Sequence, residues 1–227
     1  MLDHCAPINS TSLKSRRRIS PSSSNQKVCV IIGCFNETTM DNQDISIIEL
    51  RPVIPDDAKR WAAMRQDADA RRLTPLNDAS LEELSQRLRK CTSDTTDMSG
   101  KEIMLAVYVA QCLIGFVSAH NTSNQMRYAE IAYSIDKMFR RNGIGYAAAR
   151  MFIERLFHGG FRRVLAIISS DNAASISLVR KLGFAHEGTL RKHFIIQGRE
   201  VDQEVHGLLA HEWQERPPPR PVVTWKI

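Results

Sequence analysis

The sequence predicts a mixed α/β fold in which antiparallel hairpins surround a single βαβ-like crossover. Three observations carry this. Apolar residues recur at every second position in some stretches and at helical spacing in others. The strand-like runs fall into neighbouring pairs joined at Gln111-Cys112 and Gln197-Gly198. The longest helical stretch, Gly143 to His158, stands alone between two strand-like runs.

Taken in order, Ile45 to Val53 is a strand closed by Pro55, and Asp56 and Asp57 then open a helix that runs to about Ala68. Asn77-Asp78-Ala79-Ser80 supplies cap residues for a second helix, Leu81 to Lys90. Ile103 to Ala110 and Leu113 to His120 form a hairpin. Arg127 to Asp136 adds a strand in which Ala129, Ile131, Tyr133 and Ile135 alternate against Glu130, Ala132 and Ser134. The long helix carries Ala148, Met151, Phe152, Arg155 and Leu156 on one stripe and stops at Gly159-Gly160. Arg163 to Ile168 is a short strand, and Asn172 to Leu182 is a helix stopped by Gly183. Phe184 to Ile195, interrupted around Glu187-Gly188, and Arg199 to Leu209 form the last strand pair. No internal repeat is present.

The flanks differ from this body. Residues 1–44 hold Ser10-Thr11-Ser12, Arg16-Arg17-Arg18 and Pro21 to Asn25 with no sustained apolar period, and read as an unstructured leader. Met40 stands just ahead of the first strand as an alternative start. Residues 216–227 open with Arg216-Pro-Pro-Pro-Arg-Pro and read as an extended tail outside a domain spanning 45–215.

Composition narrows the function class. The chain has 227 residues, 43% hydrophobic and 25% charged, which is globular and excludes fibrous or wholly disordered classes. No apolar run approaches the roughly 18 residues of a membrane span. The five cysteines show neither CxxC spacing nor a histidine cluster, so neither a zinc site nor a disulfide framework is expected, and the expected compartment is the reducing cytoplasm. A net charge of +6 favours an acidic partner: nucleic acid, an anionic surface or a phosphorylated cofactor.

The informative stretch is Arg140-Arg141-Asn142-Gly143-Ile144-Gly145-Tyr146, between a strand and the long helix. Glycines let the backbone approach a ligand closely, and the first helical N–H groups point outward with the positive end of the dipole. A diphosphate fits such a site. A P-loop is excluded because no Gly-Lys-Ser/Thr follows. A dinucleotide fingerprint is nearer, with Gly143, Gly145 and Ala148 in G-x-G-x-x-A and Asp171 as the ribose acid. However, the preceding strand alternates, and too little chain follows for a doubly wound sheet.

Arg140-x-x-Gly143-x-Gly145 also resembles the Q/R-x-x-G-x-G/A signature of the GNAT superfamily of acetyl-CoA-dependent N-acetyltransferases. Ala129 to Ile135 resembles the strand before that signature. Asn172-Ala-Ala-Ser175, Lys181-Leu182-Gly183-Phe184 and Glu187-Gly188-Thr189-Leu190-Arg191 resemble its second signature. Gly198 to Asp202 with Glu212-Trp213 resembles the branch that acetylates ribosomal-protein N-termini, together with related polyamine and amino-sugar acetylases. The resemblance implies a twisted, mostly antiparallel sheet of about seven strands, splayed at the cofactor site and flanked by about four helices. It implies acetyl-CoA as co-substrate, no metal, and an amine acceptor that is a protein N-terminus or a small amine. Nucleic acid is not expected as the main partner, nor is a membrane; the assembly is a monomer or homodimer.

By the same resemblance, Ile135 and Met138 hold the pantetheine arm by their backbone. Arg140, Arg141, Asn142, Gly143, Ile144, Gly145 and Tyr146 cradle the pyrophosphate, and Asn172 binds a pantetheine amide. Chemistry adds a requirement: an amine attacks a thioester only when neutral, yet a lysine-like amine has a pKa of about 10.4 and an α-amine about 8. Glu130 is the candidate base, against the alternative of a solvent-facing acid paired with a neighbouring cation. Many family members place a leaving-group tyrosine where this chain has Val179, so Ser175 takes that role, against plain helix capping. Asn172 is equally placed to be an N-cap. Two further functions stay open: a non-catalytic acyl-CoA sensor, and a nucleic-acid binder using the basic surface.

Overall fold

The computed structural model describes residues 47–213 and 221–225. The leader 1–44 and Met40 lie outside the described residues, as do residues 214–220. Eight strands form one sheet: β1 (Ile47–Pro52), β2 (Ile103–Val109), β3 (Cys112–Ser123), β4 (Tyr128–Ile135), β5 (Arg163–Ser169), β6 (Ala185–Ile196), β7 (Arg199–Leu209) and β8 (Val222–Trp225). Their order is β6-β7-β5-β4-β3-β2-β1-β8. All neighbours are antiparallel except β4 with β5 and β1 with β8. Five helices accompany them: α1 (Ala58–Arg65), α2 (Ala68–Leu73), α3 (Leu81–Lys90), α4 (Ile144–His158) and α5 (Ala173–Leu182).

Strand alternation sorts the helices onto two faces. Leu105, Val107, Val117 and Ile131 point into a core with α4, whose Phe152 and Leu156 are fully buried. Each such side chain contributes about 1.5–3 kcal/mol by leaving water. On the other face, Met104, Ala106 and Phe116 meet Trp61 and Met64 of α1 and Leu84 and Leu88 of α3. The start of α3 is fixed by a reciprocal cap, with Ser80 Oγ accepting from Glu83 N–H and the Glu83 carboxylate accepting from Ser80 N–H.

The sheet and helices exceed the expected seven and four for two local reasons. The single helix expected from Asp56 to Ala68 is a 3-10 turn, Pro55–Asp57, followed by α1 and α2. Asp67 breaks it, because its carboxylate caps α2 by accepting from Ala70 N–H. The segment expected as a tail outside the domain contributes β8, which pairs in parallel with β1 from Ile47↔Val222 to Leu50↔Trp225. Two valines, a threonine and a tryptophan following Pro221 suit an edge strand better than a free tail. The first hairpin turns at Ala110 and Gln111, both with positive φ (45° and 73°), so Cys112 is the first residue of β3 and not part of the turn.

Candidate active site

The site begins where two strands part. β4 and β5 pair only over Tyr128↔Arg163, Ala129↔Val164 and Glu130↔Leu165. Beyond Glu130, β4 stays on β3 to Ile135 while β5 stays on β7 to Ser169. Asp136 N–H donates to Ile114 C=O at 2.8 Å, which makes Gly115↔Ile135 a non-hydrogen-bonded pair of the β3–β4 ladder. By the two-residue period, Tyr133 and Ile135 therefore turn their N–H and C=O groups away from β3, into the gap that β5 has left. There the Ile135 C=O accepts from Arg140 Nε, and the Ile135 N–H and the Tyr133 groups form the open edge. An open strand edge of this kind pairs with an extended, amide-bearing ligand.

At the mouth of the gap lies the start of α4. Asp136 ends β4 and accepts from Met138 N–H at 2.9 Å, closing a 3-10 turn over Lys137–Phe139. The chain then reaches the helix through positive φ at Arg141 (66°) and at Gly143 (75°), the N-cap. No side chain caps this end, so by helix geometry the N–H groups of Ile144, Gly145 and Tyr146 lack intrahelical acceptors. A Cβ on Gly145 would meet only Ile135 Cγ1 and Leu178 Cδ1, each at 3.5 Å, which is ordinary contact. Packing within the protein therefore does not require glycine there, and its absent side chain leaves room in front of the helix end. An anion suits this end.

Both features open into one cavity of about 840 Å³. Of the residues singled out in the sequence, Ile135, Arg140, Arg141, Gly143, Gly145, Tyr146, Asn172 and Ser175 line it. Arg140 is committed to the fold: its Nε donates to Ile135 C=O at 2.9 Å, and its guanidinium pairs with Asp67 at 2.8 Å and Asp69 at 3.6 Å. Met138 is placed differently from expectation. It is exposed, does not line the cavity, and its N–H is already taken by Asp136. Asn172 is the N-cap of α5, its Oδ1 accepting from Ser175 N–H at 3.1 Å. Ser175 also accepts, through its carbonyl, from the Tyr133 hydroxyl at 3.3 Å, and burial pushes the Tyr133 phenol up to about 12. Val179 is fully buried in the core, so no side chain at that position faces the cavity.

Glu130 shares the β4 face of Ala132 and Ser134, which line the cavity, but lies one pleat beyond its wall. It stands across the ladder from His120, whose Nε2 is 3.3 Å from Oε1, and accepts from Asn121 Nδ2 at 3.0 Å. Burial raises its carboxyl, but the bonds from His120 and Asn121, with His193 nearby, outweigh burial and hold it below its ordinary value. It is therefore ionised at neutral pH.

The far end of the cavity is made by side chains from α1, α2, α3, β2, β3 and the stretch before β2. Trp61, Met64, Met104 and Phe116 form an apolar floor, with Arg65, Arg72, Arg87, Asp69 and Glu102 around it. The two helices expected at Asp56 to Ala68 and Leu81 to Lys90 supply Trp61, Met64, Arg65 and Arg87 to this end. Among the described residues, no cluster of His, Cys, Asp and Glu is placed to hold a metal, and no helix is long and apolar enough to cross a membrane.

Comparison with known proteins places this architecture. A model described as the acetyltransferase (GNAT) domain matches residues 48–185. The chain is 33% identical over 119 residues to the putative ribosomal N-acetyltransferase YdaF of Bacillus subtilis, a match covering 52% of this chain and 64% of that protein's own length. Among solved structures, a probable acetyltransferase is 27% identical with a TM-score of 0.63, over 73% of this chain and 94% of that one. Mycobacterium smegmatis RimJ in complex with CoA-disulfide is 22% identical with a TM-score of 0.63, over 72% and 82%, and shares the fold. A chain that matches this domain over residues 48–185 and folds on the architecture of those acetyltransferases belongs to the GNAT acetyltransferase family.

Proposed function

We propose that the protein is an N-acetyltransferase that moves an acetyl group from acetyl-CoA directly to a primary amine, with a peptide or protein N-terminus as the favoured acceptor and a small amine as the alternative. The observation that carries this reading is the parted β4–β5 pair with the uncapped start of α4 at its mouth. The N–H groups of Ile144, Gly145 and Tyr146, with Asn142, Gly143 and the Arg141 guanidinium beside them, hold the pyrophosphate. The backbone edges of Tyr133 and Ile135 hold the pantetheine amides. The preference for peptide amines is supported by similarity to the putative ribosomal N-acetyltransferase YdaF of B. subtilis.

Bound acetyl-CoA supplies a thioester whose acyl carbon the neutral amine attacks, so that a C–N bond forms, the C–S bond breaks and CoA leaves as the thiol. Glu130 is the group that takes the amine's proton. Its carboxylate faces the same side as the cavity wall at Ala132, and water spans the remaining pleat. His120 and Asn121 orient it and keep it ionised. Ser175, at the start of α5 and on the cavity wall, is the donor for the departing sulfur. Arg140 braces the loop and is not itself a ligand for the phosphates.

The test is thiol release from acetyl-CoA with a panel of N-terminal peptides, spermidine and amino sugars, for the wild type and Glu130→Gln. Loss of a general base lowers kcat by about 10²–10⁴. Because the Glu130 carboxyl is held low, it stays ionised across the working range. The wild-type rate is therefore expected to rise with pH through the acceptor's own amine pKa, about 8 for an α-amine, with no added limb from Glu130 above pH 5 or so. The variant keeps that midpoint at a lower rate. Acetyl-CoA binding without thiol release from any amine would favour a non-catalytic acyl-CoA sensor.

A further inference from the structure

Resting on the acetyl-transfer reading, we propose that the far end of the cavity takes a primary amine with a carboxylate a few bonds away, as at the N-terminus of an acidic peptide, and that Arg65 reads that carboxylate.

The floor of this end is aromatic and cationic together. Trp61 and Phe116 pack with ring centroids 5.7 Å apart. Arg87 stands over the Trp61 ring at 5.1 Å and Arg65 over the same ring at 5.7 Å. Stacked on one indole, the two guanidiniums repel each other, and their difference lies in what balances them. Arg87 is answered by Glu102 through two bonds, Nε at 2.8 Å and an Nη at 2.9 Å. Arg65 donates to the neutral carbonyl of Asn77 at 2.6 Å and forms no ion pair among the described residues.

The surrounding acids are already used. Asp78 is held by Arg71 at 2.8 Å. Asp69 lies between Arg72 and Arg140, 3.6 Å from each, and Asp67 is held by Arg140 at 2.8 Å. Burial, followed by the neighbouring charges of Arg87 and Arg71, pushes the Arg65 pKa down from its ordinary value. The opposite charge of an incoming carboxylate would offset both effects. A bidentate guanidinium–carboxylate pair on an aromatic floor selects by charge and by geometry. A polycation entering here would instead meet Arg65, Arg72 and Arg87 with no unclaimed carboxylate on the wall, so repulsion disfavours the wrong acceptor.

The experiment compares thiol release from acetyl-CoA with four acceptors. These are an amidated pentapeptide with aspartate at its second position, its asparagine counterpart, a free dipeptide whose sole carboxylate is C-terminal, and spermidine. Each is run with the wild type, Arg65→Gln and Arg65→Lys, with melting curves and calorimetric acetyl-CoA binding alongside. The acidic peptide is expected to exceed its neutral counterpart in kcat/KM by about tenfold, mostly through KM, and to exceed spermidine. In Arg65→Gln that ratio falls towards one, and in Arg65→Lys part of it returns. The dipeptide arm shows whether a side-chain or a C-terminal carboxylate is the one read. A wild-type ratio near one, a preference for spermidine, or a preference that survives Arg65→Gln would overturn the inference while leaving the acetyltransferase reading intact. Failure of the wild type to bind acetyl-CoA would overturn the acetyltransferase reading itself, and this inference with it.

Discussion

The mouth of the cavity and its far end are made of different materials. At the mouth the groups that face the cavity and its gap are peptide groups, the N–H groups from Ile144 to Tyr146 on α4 and the outer edge of Tyr133 and Ile135 on β4, set by backbone conformation. At the far end they are side chains of Trp61, Arg65, Arg87, Glu102 and Phe116, brought together from α1, α3, the stretch before β2 and β3. A backbone site binds an invariant ligand and tolerates varied neighbours, provided the glycines keep the approach open. A side-chain site can be re-specified one residue at a time. The two ends should therefore respond differently to substitution.

The sharpest way to break that contrast is Gly145→Glu. The new side chain fills the ligand's space with a carboxylate at the positive helix end, while the Cβ meets the protein only at ordinary contact distance. Calorimetry should show acetyl-CoA affinity falling by about a hundredfold or more. The melting temperature should stay within a few degrees, which separates loss of site from loss of fold. A variant that still binds acetyl-CoA normally would mean that the mouth does not depend on its backbone approach.

Arg140→Ala sharpens the same comparison with a smaller effect. It removes the bond to Ile135 C=O and the pairing with Asp67 and Asp69. Because the guanidinium is about one-third exposed, solvent screening limits the cost to about 1–2 kcal/mol of stability. Acetyl-CoA should weaken by less than about tenfold, since the side chain braces the loop without binding the ligand. A collapse in affinity with no change in melting would instead make Arg140 a direct phosphate ligand.

The same contrast explains what was legible in the sequence. The strand alternation of Ala129 to Ile135 and the glycines after it are contiguous, so the mouth could be located by reading along the chain. The far end could not, because Trp61 and Phe116 become neighbours only when α1 packs across β3. Helix and strand types were mostly readable from periodicity, and the misses have local causes. Asp67 is a good cap hidden inside a continuous helical pattern, and β8 is four residues long and exists through its partner β1. Glu130 lies on the face its alternation indicates, but its partners His120 and Asn121 come from β3, which no spacing within β4 reports. Val179 shows the reverse case: an apolar residue in a helix is read as core, and it is fully buried.

The most direct test is residue-resolved amide hydrogen exchange with and without acetyl-CoA, because the central claim concerns particular peptide groups. The N–H groups of Ile144, Gly145 and Tyr146, together with Tyr133 and Ile135 on the open β4 edge, are expected to slow on binding, while those of β8 and the last turn of α4 keep their rates. Protection confined to the basic surface at Arg162 and Arg163, with the α4 start and the β4 edge unchanged, would contradict the account.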